Sequence, residues 1–517
     1  MDAALDRNYD FIVCGSGSTG SVVARRLAEN PDVTVLLLEA GGSDDVPGVT
    51  QADQWPSNLG SERDWAFTSV PNPRLFGRTT TLSMGKVLGG SSSINLMAWA
   101  RGHRVDWDHF ASESGEESWG YEPVVELYRQ IEDWQGVGES EHRGRGGLVF
   151  VQQSLDPHPV TTATLDAARA VGIPTYQSPN GRLMEECRGA ALLDMRWRED
   201  KRLSVFRTYV APLLGKPNLT VATHALVTKV SFEGSRATGV EVFHRGTLHR
   251  IAADNEVVLS LGAVNTPKVL MQSGVGDEDD LRGPGIAVRQ HLPGVGRNLQ
   301  DHHGIACLWE LPDGVPGSLQ PGAALFWDSG DADLQGPEMF ACMMPAPMSS
   351  PENIARHGMP DNSWLLFGAP THARSRGRVQ LSGPNPEDPI LVDPNALSDP
   401  ADLKTMISCV ETLREIGNSA ALRPFVAREV MPGDLSSAEL DTYLRNGLVT
   451  YWHLCGTAKM GRDPMSVVDG RLNVYGVEGL RIADASIMPR ISASNPMAPC
   501  VMIGERAAQF IKADHGV

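Results

Sequence analysis

A six-residue glycine loop constrains this chain more than any other feature. Gly15-Ser16-Gly17-Ser18-Thr19-Gly20 follows the apolar run Tyr9 to Cys14 and opens a stretch with helical spacing, Ser18 to Glu29, after which Val33 to Leu38 reads as a second buried strand ending at Glu39. Strand, glycine turn, helix, strand and acidic residue, in that order, make a phosphate cradle for a dinucleotide. Gly15 permits the tight turn, Gly17 lets a pyrophosphate approach the backbone, and Gly20 lets helix and strand pack closely. The helix N-terminus, with Ser18 and Thr19 in its first turn, supplies amide donors and the positive end of a dipole. Glu39, with Ala40 beside it, is placed to accept a hydrogen bond from a ribose hydroxyl.

The chain has 517 residues, more than one ordinary core holds, and two intimately packed domains are expected. Its 63 acidic residues outnumber 45 basic ones, a net charge of −18 that disfavours nucleic acid as a partner. No stretch approaches the roughly 18 apolar residues of a membrane span, and no basic-then-apolar leader precedes the first strand. The expectation is a soluble, cytoplasmic protein with no membrane partner. The seven cysteines are odd in number, scattered and without CxxC spacing, which argues against both a disulfide framework and a zinc site. No metal is expected.

Glycine-rich signals are dispersed along the chain, at residues 8–40, 85–95, 255–263 and 479–486. A dinucleotide domain assembled from separated segments explains this better than domains in tandem. The intervening residues 148–220 and 305–460 carry mixed helical and alternating patterns, among them Ser363 to Pro370 and Gly377 to Leu381. These suit an antiparallel sheet roofing a substrate cavity.

Two further runs carry a resemblance. Gly85-Lys86-Val87-Leu88-Gly89-Gly90-Ser91-Ser92-Ser93-Ile94-Asn95 and the stretch from Gly262 to Gly276 resemble the two signatures of the glucose-methanol-choline oxidoreductases. The likeness extends through Pro293 to His302 and from His453 to Asn495, covering essentially the whole chain, and within the family it is closest to the bacterial choline oxidase and aryl-alcohol oxidase group. It implies an α/β fold, α+β overall: a Rossmann-type FAD-binding domain from discontinuous segments (1–147, 215–304 and 461–517) and a substrate domain (148–214 and 305–460) with a mainly antiparallel sheet and flanking helices. It implies FAD lying extended, adenine end at Glu39. Trp65 corresponds to a position on the adenosine side. Val87, Gly89, Ser92, Asn95, Asp484, Ala485, Pro496 and Met497 correspond to positions near the pyrophosphate and flavin, and Val227 to one that packs at the adenine through its backbone.

The resemblance also places the chemistry. His453 stands where the family carries a base that takes the hydroxyl proton as hydride leaves the adjacent carbon, a task suited to neutral imidazole. Asn495 stands at the second active-site position, where an amide orients the substrate oxygen without accepting its proton. His302 and His303 are read as structural or flavin-proximal packing, because no ligand spacing around them closes a metal shell. Cys455 is read as a small apolar group rather than a nucleophile.

Departures from choline oxidase matter equally. Its covalent flavin attachment is a His where this chain has Ile94, so FAD is expected to be non-covalent. Its carboxylate for the quaternary ammonium falls at Gly304, and another of its histidines at Cys342. With Tyr451, Trp452, Phe340, Met343 and Met344 read as the substrate surface, the expected reaction is oxidation of a neutral primary alcohol, benzylic, furanic or pyridoxine-like, to its aldehyde. Oxygen or another acceptor would then reoxidise the flavin. A redox-neutral FAD lyase resembling hydroxynitrile lyases, and oxidation of choline or another amino alcohol, are the alternatives. Oligomeric state is left open.

Overall fold

The N-terminal apolar run forms a strand, β1 (Asn8–Cys14), at the middle of a seven-stranded sheet. The computed structural model describes residue 5 and residues 8–517 other than 319, 321, 331–334 and 345. β1 is followed by α1 (Ser18–Ala28) and pairs in parallel with β2 (Val35–Leu38) on one side and with the long strand Thr247–Leu259 on the other. Every residue of β2 is buried, as a continuous apolar run in a parallel sheet requires. Leu219–Ala222 extends the sheet beyond β2, and Leu480–Ile482 adds in parallel to the end of Thr247–Leu259. Three distant stretches of chain thus build one sheet, with Arg236–His244 and Ala225–Glu233 running antiparallel off its edge. α1 packs on the last helix, Met497–His515. Gly504 permits the approach, since a Cβ there would lie 2.7 Å from Cβ of Val22.

A second sheet is antiparallel, in the order Arg428–Met431, His303–Glu310, Ser363–Pro370, Met339–Met344, Ala323–Trp327 and Gly189–Leu192. It has its own apolar core, in which Trp309 and Trp364 stack with ring centroids 4.6 Å apart, and the helix Pro400–Gly417 covers it with Cys409 and Leu413. Ser363–Pro370 lies inside this sheet, but the expected companion at Gly377 to Leu381 does not. Arg378–Leu381 pairs with Ile390–Asp393 in a separate two-stranded ribbon whose Val379 and Val392 enter the core of the first sheet. The reason is local: Ser382-Gly383-Pro384-Asn385-Pro386 is turn-forming and folds the segment back on itself.

One pairing sets up the site. Val449–Thr450 joins the start of His303–Glu310, with Thr450 opposite His303, so residues 450–453 run beside Asp301 and His302. Among the described residues no helix is long and apolar enough to cross a membrane.

Candidate active site

Between the two cores lies a cavity of about 1740 Å³ of empty space, counting its open mouth, which runs from the glycine loop to His453. At the loop end, Gly15 has φ +99°, and a Cβ there would lie 2.3 Å from the carbonyl oxygen of Ser260. A Cβ on Gly20 would lie 1.9 Å from the carbonyl oxygen of Gly15. At Gly17 a Cβ would meet nothing within 4 Å, so the backbone there is bare toward the cavity. α1 begins at this point with no acidic residue in its first turn, leaving its positive dipole end open to an anion. Glu39 is buried. Oε2 accepts from the amide (3.2 Å) and hydroxyl (2.7 Å) of Ser16, and Oε1 from the amide of Gly41 (2.8 Å). Burial raises the carboxyl pKa. Trp65 lines the same end, stacked on Phe67 and capped by the Lys86 ammonium at 4.7 Å. A bare glycine cradle, a helix N-terminus and an acidic acceptor fit the pyrophosphate and ribose of a dinucleotide such as FAD.

At the other end the geometry fixes a proton's address. Asp301 Oδ1 accepts from the His453 amide (2.9 Å) and Oδ2 from the Thr450 hydroxyl (2.5 Å), while Thr450 Oγ1 accepts from the Trp452 amide (2.6 Å). This wrapping holds Trp452 at φ +60°, a conformation a bulky residue keeps only when its surroundings impose it. His453 Nδ1 is 2.8 Å from His302 Nδ1, and His302 Nε2 is 2.9 Å from the carbonyl oxygen of Thr371. A carbonyl only accepts, so His302 Nε2 carries a proton. Burial lowers the His302 pKa to about 3, so the ring is neutral at ordinary pH and its Nδ1 is an acceptor. His453 Nδ1 must then donate, which leaves His453 Nε2 unprotonated, an acceptor that takes the Asn495 amide N–H at 3.1 Å. The Thr371 hydroxyl is itself tied to the carbonyl oxygen of Pro337 (2.6 Å), fixing the end of the chain. His453 is only 7 % exposed, and burial, with His302 beside it, drives its pKa well below the ordinary value. Its Nε2 faces the cavity 3.1 Å from Asn495 Nδ2, so one substrate oxygen can touch both.

Of the residues expected from the sequence, Gly15, Gly17, Ser18, Thr19, Glu39, Ala40, Trp65, Ser92, Asn95, Asp484, Ala485, Asn495, Pro496, Met497, Tyr451, Trp452 and His453 line this cavity. Gly20, Val87 and Gly89 sit one layer behind; the Gly89 amide bonds to the Ser16 carbonyl (3.1 Å). Phe340 is also behind the wall, 4.7 Å from the His302 ring and 5.0 Å from Tyr451. The expected substrate contacts of Phe340 and Met343 need correction. Met343 points away, because alternation along Met339–Met344 turns Cys342 and Met344 to the cavity and buries Met343 in the core, where the Thr161 hydroxyl contacts its sulfur at 3.5 Å. The side chain of Val227, expected to meet the adenine through its backbone, is buried in the first core. Two to five residues before it, 222–225 run beside Glu39, whose amide bonds the Ala222 carbonyl and whose carbonyl accepts from the Ala225 amide.

Several contributors were not foreseen. His302 hydrogen-bonds His453 rather than merely packing, a contact that its spacing from Asp301 alone does not disclose. Phe367 and Met348 supply apolar wall beside the expected Met344, and Thr371 lies in no motif. Among the described residues no group of His, Cys, Asp or Glu is arranged to hold a metal.

Comparison with known proteins places this architecture. A model described as GMC oxidoreductase matches residues 9–304 and a second residues 373–504. Mitochondrial choline dehydrogenase of Mus musculus is 37 % identical, covering 98 % of this chain and 89 % of that one. An alcohol dehydrogenase (acceptor) of Pseudomonas putida is 35 % identical, over 97 % and 95 %. The crystal structure of pyridoxine 4-oxidase from Mesorbium loti superposes with a TM-score of 0.92 at 30 % identity, over 97 % of this chain and 99 % of that one.

Proposed function

This chain belongs to the GMC oxidoreductase family and is an FAD-dependent oxidoreductase acting on CH–OH donors; from that premise we propose that it oxidises a neutral, apolar or aromatic primary alcohol to its aldehyde, with His453 as base. The observation that carries this reading is the unprotonated Nε2 of His453, fixed by the His302–Thr371 chain and facing the cavity.

In this reading His453 Nε2 takes the hydroxyl proton while Asn495 Nδ2 donates to the same oxygen and fixes its position. FAD, when bound, supplies the acceptor for the hydride leaving the carbinol carbon. Ile94 has no nucleophilic atom, which supports non-covalent attachment. Gly15, Gly17, Ser18, Thr19 and Glu39 would hold the pyrophosphate and ribose, Trp65 the adenosine side, and Ser92, Asn95, Asp484, Pro496 and Met497 the rest of the cofactor. Tyr451, Trp452, Phe367 and Met344 would enclose the substrate and exclude water. We divide the chain accordingly into a cofactor portion, 1–147, 215–304 and 461–517, and a substrate portion, 148–214 and 305–460, and place it in the cytoplasm.

Two features favour a neutral substrate. Among the described residues the only carboxylates in the cavity wall are Glu39, at the glycine loop, and Asp484, which accepts from the Gly262 amide (2.9 Å) and the Thr266 hydroxyl (2.5 Å). At Gly304, a side chain would start 2.6 Å from the Tyr451 ring and 2.8 Å from that of Phe367, so aromatic carbon fills the space a carboxylate would need. The test is anaerobic titration of the yellow protein with benzyl alcohol, hydroxymethylfurfural, pyridoxine and choline. Bleaching by one of the three aromatic or furanic alcohols and not by choline is expected. Bleaching by choline alone would overturn the substrate class, and bleaching by none would favour a redox-neutral lyase.

A further inference from the structure

Four arginines are among the largest fully buried side chains, and two of them lack a counter-charge. Arg101 meets Glu132 at 2.5 Å and Arg481 meets Glu256 at 2.5 Å. Arg202 is 1 % exposed, yet its partners are all neutral oxygens: Nε donates to the Val49 carbonyl (2.9 Å), Nη1 to Asn95 Oδ1 (2.9 Å) and the Ser92 carbonyl (3.3 Å), and Nη2 to nothing. Arg196, also 1 % exposed, donates only to the Thr208 hydroxyl (3.0 Å). Neither has a carboxylate partner among the described residues. Burial lowers their pKa values to about 9 and about 10, which leaves both charged at neutral pH. Burying a cation without an anion is costly unless something absent from the folded chain balances it.

Their position says what that is. The Arg196 amide bonds to the Met97 carbonyl (2.8 Å) and the Val205 amide to Ser92 Oγ (3.0 Å), so residues 196–205 clamp onto 92–97. Asn95 Oδ1 takes both Arg202 Nη1 and the Met97 amide (3.0 Å), which turns its NH₂ the other way, 3.1 Å from Met497 Sδ. Met497 follows Asn495 and Pro496, and Asn495 touches His453. The guanidinium therefore sits behind the reactive end of the cavity, whereas the glycine loop and α1 serve the other end.

We propose that Arg202, with Arg196 behind it, is a positioning and potential-setting residue: it holds Asn95 with its amide N–H toward the cavity, and its unbalanced charge favours the negative charge FAD gains on taking two electrons. This rests on the reading that Ser92 and Asn95 border FAD.

The test compares purified holoenzyme with Arg202→Lys, Arg202→Gln and Arg202→Met, each equilibrated anaerobically with a reference dye, reading the ratio of reduced to oxidised FAD. The neutral variants should show a ratio roughly tenfold lower, equivalent to ~30 mV for two electrons, and the Lys variant should stay within about threefold of the parent. An unchanged ratio in Arg202→Gln or Arg202→Met overturns the proposal, as does weaker FAD binding without a change in ratio, which assigns the charge to the phosphates. If neither neutral variant folds, Arg196→Gln reports the same field, and an unchanged ratio there overturns it equally. Asn95→Ala separates the two readings. A flavin band identical to the parent's sinks the placement of Asn95 beside FAD, whereas a shifted band with an unchanged Arg202→Gln ratio sinks the role of Arg202 alone.

Discussion

Which nitrogen of which imidazole carries a proton decides the chemistry at the scale of single residues. The Thr371 carbonyl fixes His302, His302 fixes His453, and the unprotonated nitrogen, accepting from Asn495, ends at the cavity. His453→Ala should lower turnover by roughly 10² to 10⁴, the usual worth of a positioned general base, while the visible spectrum still reports bound FAD. His302→Gln, which disturbs only the orientation, should slow turnover less and leave KM nearly unchanged; a loss equal to that of His453→Ala would mean the relay is misread. The pH dependence follows from the depressed pKa values. His453 stays neutral below the ordinary 6.5, so the acid limb of kcat/KM should fall well below pH 6.5 rather than at it. For stability, the unfolded chain binds the His302 proton at pH 6.5 while the folded chain resists it to about 3, so this contribution is present above pH 6.5 and is lost as pH falls through that window. Thermal melting at pH 7, 5.5 and 4.5 should show Tm dropping with acid, and less steeply in His302→Gln. His453 and Asn495 were legible in the sequence through their motifs. The relay was not, because His302, His453 and Thr371 meet only through strand pairing.

The strand–loop–helix unit is where sequence and structure agree most closely, because Gly15 and Gly20 answer local steric demands and Gly17 leaves the backbone bare toward the cavity. Gly20→Ala puts a Cβ 1.9 Å from the Gly15 carbonyl oxygen, and overpacking of this kind costs about 1–3 kcal/mol. The variant should unfold at lower urea and retain less FAD on gel filtration, whereas parent-like behaviour in both would mean α1 shifts freely. Glu39→Ala should weaken FAD retention more than it slows the chemical step, measured by FAD titration against single-turnover rate. Elements read less well where the partner was not local. The ribbon Arg378–Leu381 with Ile390–Asp393 pairs through its own turn, against the expectation of a place in the large sheet. Met343 was taken for a lining residue because a Met-Met pair shows no facing until the strand's register is known.

For the whole molecule, the consequence is that cofactor and substrate share a space that neither core encloses alone. The discontinuous first sheet was legible because its signals recur at 255–263 and 479–486, where strands join the sheet of β1; the composition of the cavity's apolar wall was not, because it is made by strands that meet only in the folded chain. A ligand bridging both cores should stabilise them together. FAD at about 100 times its Kd adds ~2.7 kcal/mol, and hydrogen exchange should slow at 15–20 and at 450–453 in parallel; protection at the glycine loop alone would mean the cofactor does not reach His453. The most direct test of the central claim is anaerobic single-turnover mixing of the parent and His453→Ala with an alcohol that bleaches the parent, following the oxidised-flavin band near ~450 nm. The account predicts that both proteins begin yellow and that the band decays at least roughly 10²-fold more slowly in the variant. Equal decay rates in the two proteins would contradict it.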